Sequence, residues 1–334
     1  MSAHRVASFT PLFDDTTASA MVTLCERFGS YGMYSEEPTF EGLGQGLPAR
    51  WDAVRNFLKT GGRLGRQESL ETLAARTNYF RETYAYGAKP AIAGIEPFLF
   101  HEGFVEAARR LHGRPIVEPA IVFANLLVPG QELAIHTDVP EFRGVNRKRH
   151  PQWLIVVMRH SGLFEAWRMP IATAVAWFHD CSGGEFVFYP DGPQAPPVAH
   201  PVHYNTALLL DTDSVFHGVD RVASAQPIAP LRPGMRLGQA GDGRWEVRDG
   251  ERVVASYGWP DLRFSISWKA YCFADEPERR AWAEHRDDLT VDAVVARLVE
   301  DLRARRIVGA DVPAGNELVD LLIDTYVPYP GAAG

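Results

Sequence analysis

Apolar residues recur at helical spacing in Met21 to Phe28, Trp51 to Leu58 and Leu70 to Phe80, with Gly and Pro between these runs. Gly103 to Leu111 continues as a helix. The pattern then changes: between Ile116 and Phe273 short apolar or alternating blocks are cut by turn residues, as antiparallel strands require. Ile121 to Leu127 reads as a buried strand, Val128-Pro129-Gly130 as a turn, and Glu132 to His136 as the next strand. Trp153 to Met158, Ala172 to Phe178, Gly184 to Tyr189, Tyr204 to Leu210 and Leu262 to Lys269 predict further strands, about eight in all. Arg244 to Arg248, Asp249-Gly250 and Glu251 to Tyr257 read as a hairpin closed by a tight turn. After Asp275 a run from Glu278 to Arg306 is helical, with Leu289, Val294, Val295, Leu298 and Leu302 as its apolar stripe, and a shorter helix covers Asn316 to Tyr326.

No repeat or linker divides the chain. The pattern gives one catalytic domain: a helical extension over 1–115, a strand-rich core over 116–273 with a hairpin insert at 224–258, and C-terminal helices over 274–334. A hydrophobic content of 46% in 334 residues is enough for a large core. No apolar run is long enough to span a bilayer and Met1 to Phe13 lacks a secretory pattern, so the expected location is cytoplasmic, away from membranes. Cys25, Cys181 and Cys272 are widely and irregularly spaced, which fits reduced thiols rather than disulfides or a metal-binding Cys pair. A net charge of -8 argues against a nucleic-acid partner and favours a small-molecule substrate. The local exception is the basic cluster from Arg143 to His150, five residues beyond Asp138, where Arg143 and Arg147 are candidates for binding an acidic group on a substrate. Oligomeric state stays open.

The candidate chemistry lies in the core. His136 and Asp138, two positions apart, project from one face of an extended strand and can grip a single ion. His217, in Ser214 to Val219, follows a distant strand and completes a two-His, one-carboxylate facial triad, which leaves adjacent coordination positions open. A site without thiolate or a fourth protein ligand suits Fe(II) better than structural zinc. Short antiparallel strands around one metal site predict a mainly β core with flanking helices, a jelly-roll or double-stranded β-helix barrel of cupin-like form. On the strand from Leu262, Arg263, Ser265 and Ser267 share one face, and Phe264, Ile266 and Trp268 the other. The guanidinium of Arg263 can fork onto a carboxylate and the Ser265 hydroxyl can add a further bond. His179-Asp180 and the pair His200 and His203 lack matching partners, and no nucleophile elbow, phosphate loop or HExxH is present.

His136-Thr137-Asp138, the distal His217 and the later Arg263-Phe264-Ser265 resemble the 2-oxoglutarate and Fe(II)-dependent oxygenases. The resemblance implies iron held by His136, Asp138 and His217, 2-oxoglutarate anchored by Arg263 and Ser265, and O2 as the oxidant. It also implies a co-substrate contact from Asn125. Hydroxylation of a C–H bond in an amino acid or natural-product intermediate is the default outcome, with succinate and CO2 as co-products; cyclisation, desaturation and epoxidation use the same centre. A carboxylate at Asp138 speaks against halogenation. The long segment between His217 and Arg263 departs from the family pattern, and Arg221 competes for the anchoring role. A cupin-like isomerase or hydrolase working without 2-oxoglutarate, and a catalytically idle binding module, are the readings from other classes.

Overall fold

A computed structural model describes residues 6–34, 43, 46–61, 69, 73 and 76–331. Within the run Leu70 to Phe80, residues 70–72, 74 and 75 lie outside the described residues, and Phe80 opens a strand. The first part of the chain holds β1 (Val6–Phe9), α1 (Asp15–Phe28), β2 (Ser30–Met33), α2 (Trp51–Thr60), β3 (Phe80–Tyr86), β4 (Lys89–Pro90), α3 (Glu96–Leu99) and α4 (Glu102–His112). The centre holds β5 (Ile116–Leu127), β6 (Leu133–His136), β7 (Glu141–Phe142), α5 (Gln152–Ser161), β8 (Arg168–Met169) and β9 (Ile171–Trp177). There follow β10 (Phe186–Phe188), β11 (Val198–His200), β12 (Thr206–Leu210) and β13 (His217–Val219). The last part holds β14 (Arg236–Gln239), β15 (Arg244–Asp249), β16 (Arg252–Gly258), β17 (Arg263–Phe273), α6 (Glu276–Ala283), α7 (Val291–Ala304) and α8 (Asn316–Tyr326).

Eight of these strands carry the site. Following the chain, β5 lies in a large sheet, β6 in a small one, β9 in the large, β10 and β11 in the small, β12 in the large, β13 in the small and β17 in the large. The large sheet runs β12-β9-β17-β5 through its centre and the small sheet β11-β10-β13-β6, every pairing antiparallel. That alternation is the winding of a double-stranded β-helix, the expected fold class. Among the described residues no strand bonds across from one sheet to the other, so the two sheets face each other without closing into a barrel.

The layers follow from side-chain parity. On β9, Val175 and Trp177 join Phe186, Phe188, Leu208 and Leu210 between the sheets, while Ala172, Ala174 and Ala176 face outward onto α1 and α4. Val187, alternating with Phe186 and Phe188, turns away from the interior and packs with α5, α7 and α8 behind the small sheet. Helices thus cover both outer faces and the site lies between the sheets.

Several expectations are corrected. Trp153 to Met158 lies in α5 rather than a strand: all six side chains are buried, so the run has no alternation, and it ends at Gly162 in the left-handed region. The extension over 1–115 is not purely helical, because β1, β2 and β3 add strands to both flanks of the large sheet. Glu278 to Arg306 breaks into α6 and α7, with His285 and Asp287 at positive φ between them. The insert does contain its hairpin, β15–β16, but β14 sutures it to β2 and Trp245 is buried against Tyr31 and Trp259. It is a continuation of the large sheet, and its core packing ties it down.

Candidate metal and acid-binding site

His136 ends β6 and His217 begins β13, and the two are direct partners in the antiparallel register. Their rings lie 4.5 Å apart between centroids. In each imidazole Nδ1 faces a backbone carbonyl two residues back, Ala134 at 2.7 Å and Val215 at 2.9 Å. Those bonds put the proton on Nδ1 and leave Nε2 with its lone pair, a tautomer assigned from the partners. Asp138 follows β6, its amide held by the Thr212 carbonyl at 2.9 Å. Its Oδ1 stands 3.7 Å from Nε2 of His136 and 3.8 Å from Nε2 of His217. The three donor atoms lie within 4.8 Å of one another, and they form the His/Cys/Asp/Glu grouping of metal-binding type among the described residues. Bonds of about 2.1 Å to one ion set adjacent donors about 3 Å apart, so the triad fits a metal with an inward shift of roughly 0.7 Å.

Electrostatics favours the ligand state. Burial, and then the neighbouring His136, hold the imidazolium form of His217 down to about 3, so the ring is neutral at ordinary pH. Burial pushes the Asp138 carboxyl up, but Lys269 and the two imidazoles outweigh it and hold the group well below its usual range. Lys269 donates to Asp138 Oδ2 at 2.6 Å, Thr173 Oγ1 at 3.0 Å and Thr212 Oγ1 at 3.4 Å. One carboxylate oxygen is thereby engaged and the other is left facing the imidazoles.

Arg263 opens β17 on the same inward face. It is 2% exposed, donates from Nε to the Gly184 carbonyl at 2.6 Å and from Nη1 to Ser265 Oγ at 3.3 Å, and its Nη2 has no partner. Burial lowers its proton affinity to about 10, so it stays charged at neutral pH, and among the described residues no carboxylate is within ion-pair distance. Asn125 is the register partner of Ser265; its Nδ2 reaches Ser267 Oγ at 3.4 Å and its buried Oδ1 has no partner. Trp177 and Phe186 line the space between Arg263 and His217.

The other candidates separate. Arg221 is spent on Glu132, its Nε and Nη2 lying 3.0 and 2.9 Å from Oε2; this pair ties the ends of the two His-bearing strands together. Arg143 is 8% exposed, forks onto Asp287 at 3.0 Å from Nε and from Nη2, and donates to the Ala166 carbonyl. Its cation is neutralised within the fold, so the expectation that it receives a substrate is corrected. Arg147 donates to the Tyr34 hydroxyl. His203 pairs with exposed Asp180, and His200 stacks on Trp177. Lys269 was missed by sequence reasoning although its odd number shares the parity of Arg263; only the folded chain brings Asp138 to it. Also missed was Arg50, which donates to the Thr137 carbonyl at 3.0 Å and forks onto fully buried Asp52, itself an acceptor from Tyr329 Oη at 2.5 Å.

No family model matches the chain, and no curated protein matches it. Solved structures do. A prolyl-4-hydroxylase from Pseudomonas putida is 11% identical with a TM-score of 0.39, covering 82% of this chain and 100% of that one. The non-haem α-ketoglutarate-dependent carbocyclase SnoK from nogalamycin biosynthesis is 10% identical with a TM-score of 0.41, covering 81% of each chain. HygX from Streptomyces hygroscopicus, solved with nickel, 2-oxoglutarate and hygromycin B, is 10% identical with a TM-score of 0.40, covering 80% of this chain and 83% of that one. At such identities a shared activity does not follow from the likeness; the chemistry of this chain rests on its own side chains.

Two outcomes test the site. A Cβ on Gly218, the residue after His217, would stand 2.6 Å from the Leu133 carbonyl and 2.9 Å from Ile135 Cδ1. Gly218→Ala therefore forces β6 and β13 apart and weakens Co(II) binding by about tenfold or more while far-UV circular dichroism is kept, as titration calorimetry will show. Asp213 is fully buried with both oxygens unpartnered, and burial pushes its carboxyl up to about 8, with Lys269 pulling the other way. Its folded value exceeds the unfolded one, so the unfolded chain ionises first and stability is lost as pH rises from about 4 to about 8. In metal-free protein Asp213→Asn raises Tm at pH 7.5 and loses that advantage near pH 4.

Proposed function

We propose that the protein is an Fe(II)- and 2-oxoglutarate-dependent oxygenase of a small molecule, acting on a C–H bond with hydroxylation as the default outcome. The observation that carries this reading is the pairing of a facial His136/Asp138/His217 set with a buried guanidinium, Arg263, that has no acid of its own. A buried cation is costly without a counter-charge, and here a ligand carboxylate supplies it. The imidazole and carboxylate donors suit ferrous iron, and their clustering on one side leaves room for further ligands.

Iron and 2-oxoglutarate, when bound, supply oxidative decarboxylation to succinate and CO2 with O2, which is what oxidises the C–H bond. The chain's own residues do the rest. Arg263 Nη2 and Ser265 Oγ take the distal carboxylate of the co-substrate, and Asn125 lies one strand away for a further contact. Lys269 fixes the rotation of the Asp138 carboxylate so that Oδ1 is the donor. Trp177, Phe186 and Phe188 exclude water from the path between the anchor and the triad. A cupin-like isomerase or hydrolase leaves the unpaired charge of Arg263 unexplained, and the oxygenase reading is preferred on that ground.

Anaerobic addition of Fe(II) and then 2-oxoglutarate produces the weak visible charge-transfer band of a chelated keto acid, absent in His136→Ala. Loss of two charge-assisted bonds in Arg263→Met raises the 2-oxoglutarate Kd by about a hundredfold with metal affinity little changed. Lys269→Met shifts the band, because the ligand carboxylate loses its partner, and Lys269→Arg moves it back part of the way. Metal binding without any band would transfer the reading to the cofactor-free cupin class.

A further inference from the structure

β3 extends the large sheet beyond β5, and in its register Arg81 stands opposite Asn125, which stands opposite Ser265, which stands opposite Trp177. Direct antiparallel partners share a face, so Arg81 belongs to the same inward row as the co-substrate contacts proposed above. Its guanidinium carbon lies 3.5 Å from the centroid of the Phe123 ring and 4.8 Å from that of Tyr34. Phe123 is the register partner of Ser267, and Ser267 is two residues from Lys269, which touches Asp138. Arg81 therefore lies on the inward face of the large sheet on the β3 side of Asn125, whereas Arg263 lies at the start of β17.

The Arg81 guanidinium forms no hydrogen bond or ion pair among the described residues; its contacts are with the rings of Tyr34 and Phe123. Several other largely buried cations are matched: Lys269 has Asp138, Arg143 has Asp287, Arg221 has Glu132 and Arg50 has Asp52. Arg81 is held instead by aromatic faces, which orient the guanidinium plane and leave its N–H edge unspent. Tyr34 in turn stacks on Tyr79 at 5.4 Å and accepts a hydrogen bond from Arg147, so a second cation stands at the outer rim of the same wall.

We propose that the substrate oxidised at this site is an organic acid whose carboxylate is bound by Arg81, with its apolar part against Phe123. This rests on the oxygenase reading for the word substrate, while the acid-binding site rests on Arg81 alone. A single guanidinium offering one planar edge matches the one charge and planar fork of a carboxylate.

The test is ligand-observed NMR with benzoate, phenylacetate and hexanoate, each against its primary amide, on metal-free protein and on protein holding Co(II) and 2-oxoglutarate. Expected is millimolar binding of at least one acid, binding of its amide about tenfold weaker, and loss of that preference in Arg81→Met. Arg81→Lys keeps part of it, which separates charge recognition from a packing defect, and Tm checks both variants. The 2-oxoglutarate Kd is unchanged in Arg81→Met. Absence of acid binding, equal binding of acid and amide, or a preference that survives Arg81→Met overturns the proposal. A raised 2-oxoglutarate Kd in Arg81→Met also overturns it, by assigning Arg81 to the co-substrate. Acid binding without any metal or 2-oxoglutarate binding keeps the Arg81 site and removes the oxygenase reading.

Discussion

The direct pairing of His136 with His217 across β6 and β13 is the constraint on which the site depends. Two strands about 80 residues apart in the chain must meet in one register, because a slip of a single residue would turn one imidazole to the helical face. The seam is narrow: Gly218 lies against the Leu133 carbonyl with no room for a side chain, and Glu132 and Arg221 clamp its end. Once the seam is set, the donors need only their backbone-bonded Nδ1 atoms to aim Nε2 inward. Asp138 then arrives from the chain that leaves β6.

β17 supplies the complementary charge. Its odd-numbered residues run Arg263, Ser265, Ser267, Lys269 and Tyr271 along one inward face, an unusual strip of polar atoms in the centre of a large sheet. The strip is graded by partner. Lys269 finds a carboxylate within the chain, Tyr271 donates to Glu141 at 2.7 Å, and Arg263 finds only a carbonyl and a hydroxyl. Interior cations are tolerated where counter-charges come from ligands as well as from the fold. The outward face of the same strand, Phe264, Ile266 and Trp268, is wholly apolar and anchors the sheet to the helices, with Trp268 Nε1 donating to the Leu99 carbonyl.

What the sequence made legible follows from period. The triad, the parity of Arg263 with Ser265, and the hairpin all rest on local alternation or spacing, and the structure brings those residues together. Trp153 to Met158 failed because a fully buried apolar run carries no period, so helix and strand look alike. β1 to β3 failed because four- and seven-residue strands lie beside strong helical signals. Lys269, Arg50 and Arg81 were invisible for another reason: their importance depends on which residue lies opposite in register or across a loop, and Arg81 pairs with Asn125 over a gap that no local pattern spans. Arg143 looked like a free cation because its partner Asp287 is 144 residues away.

The hold on Thr137, the middle residue of the metal-binding tripeptide, is also long-range. Arg50 grips its carbonyl only while Asp52 orients the guanidinium, and Asp52 is in turn bonded to Tyr329 across 277 residues of chain. Contacts of such separation carry the largest loop-closure cost and form after local structure has condensed. The backbone between His136 and Asp138 is therefore tied, through Arg50 and Asp52, to a residue near the far end of the chain. A change at Tyr329 can thus reach the metal-binding tripeptide without touching either sheet.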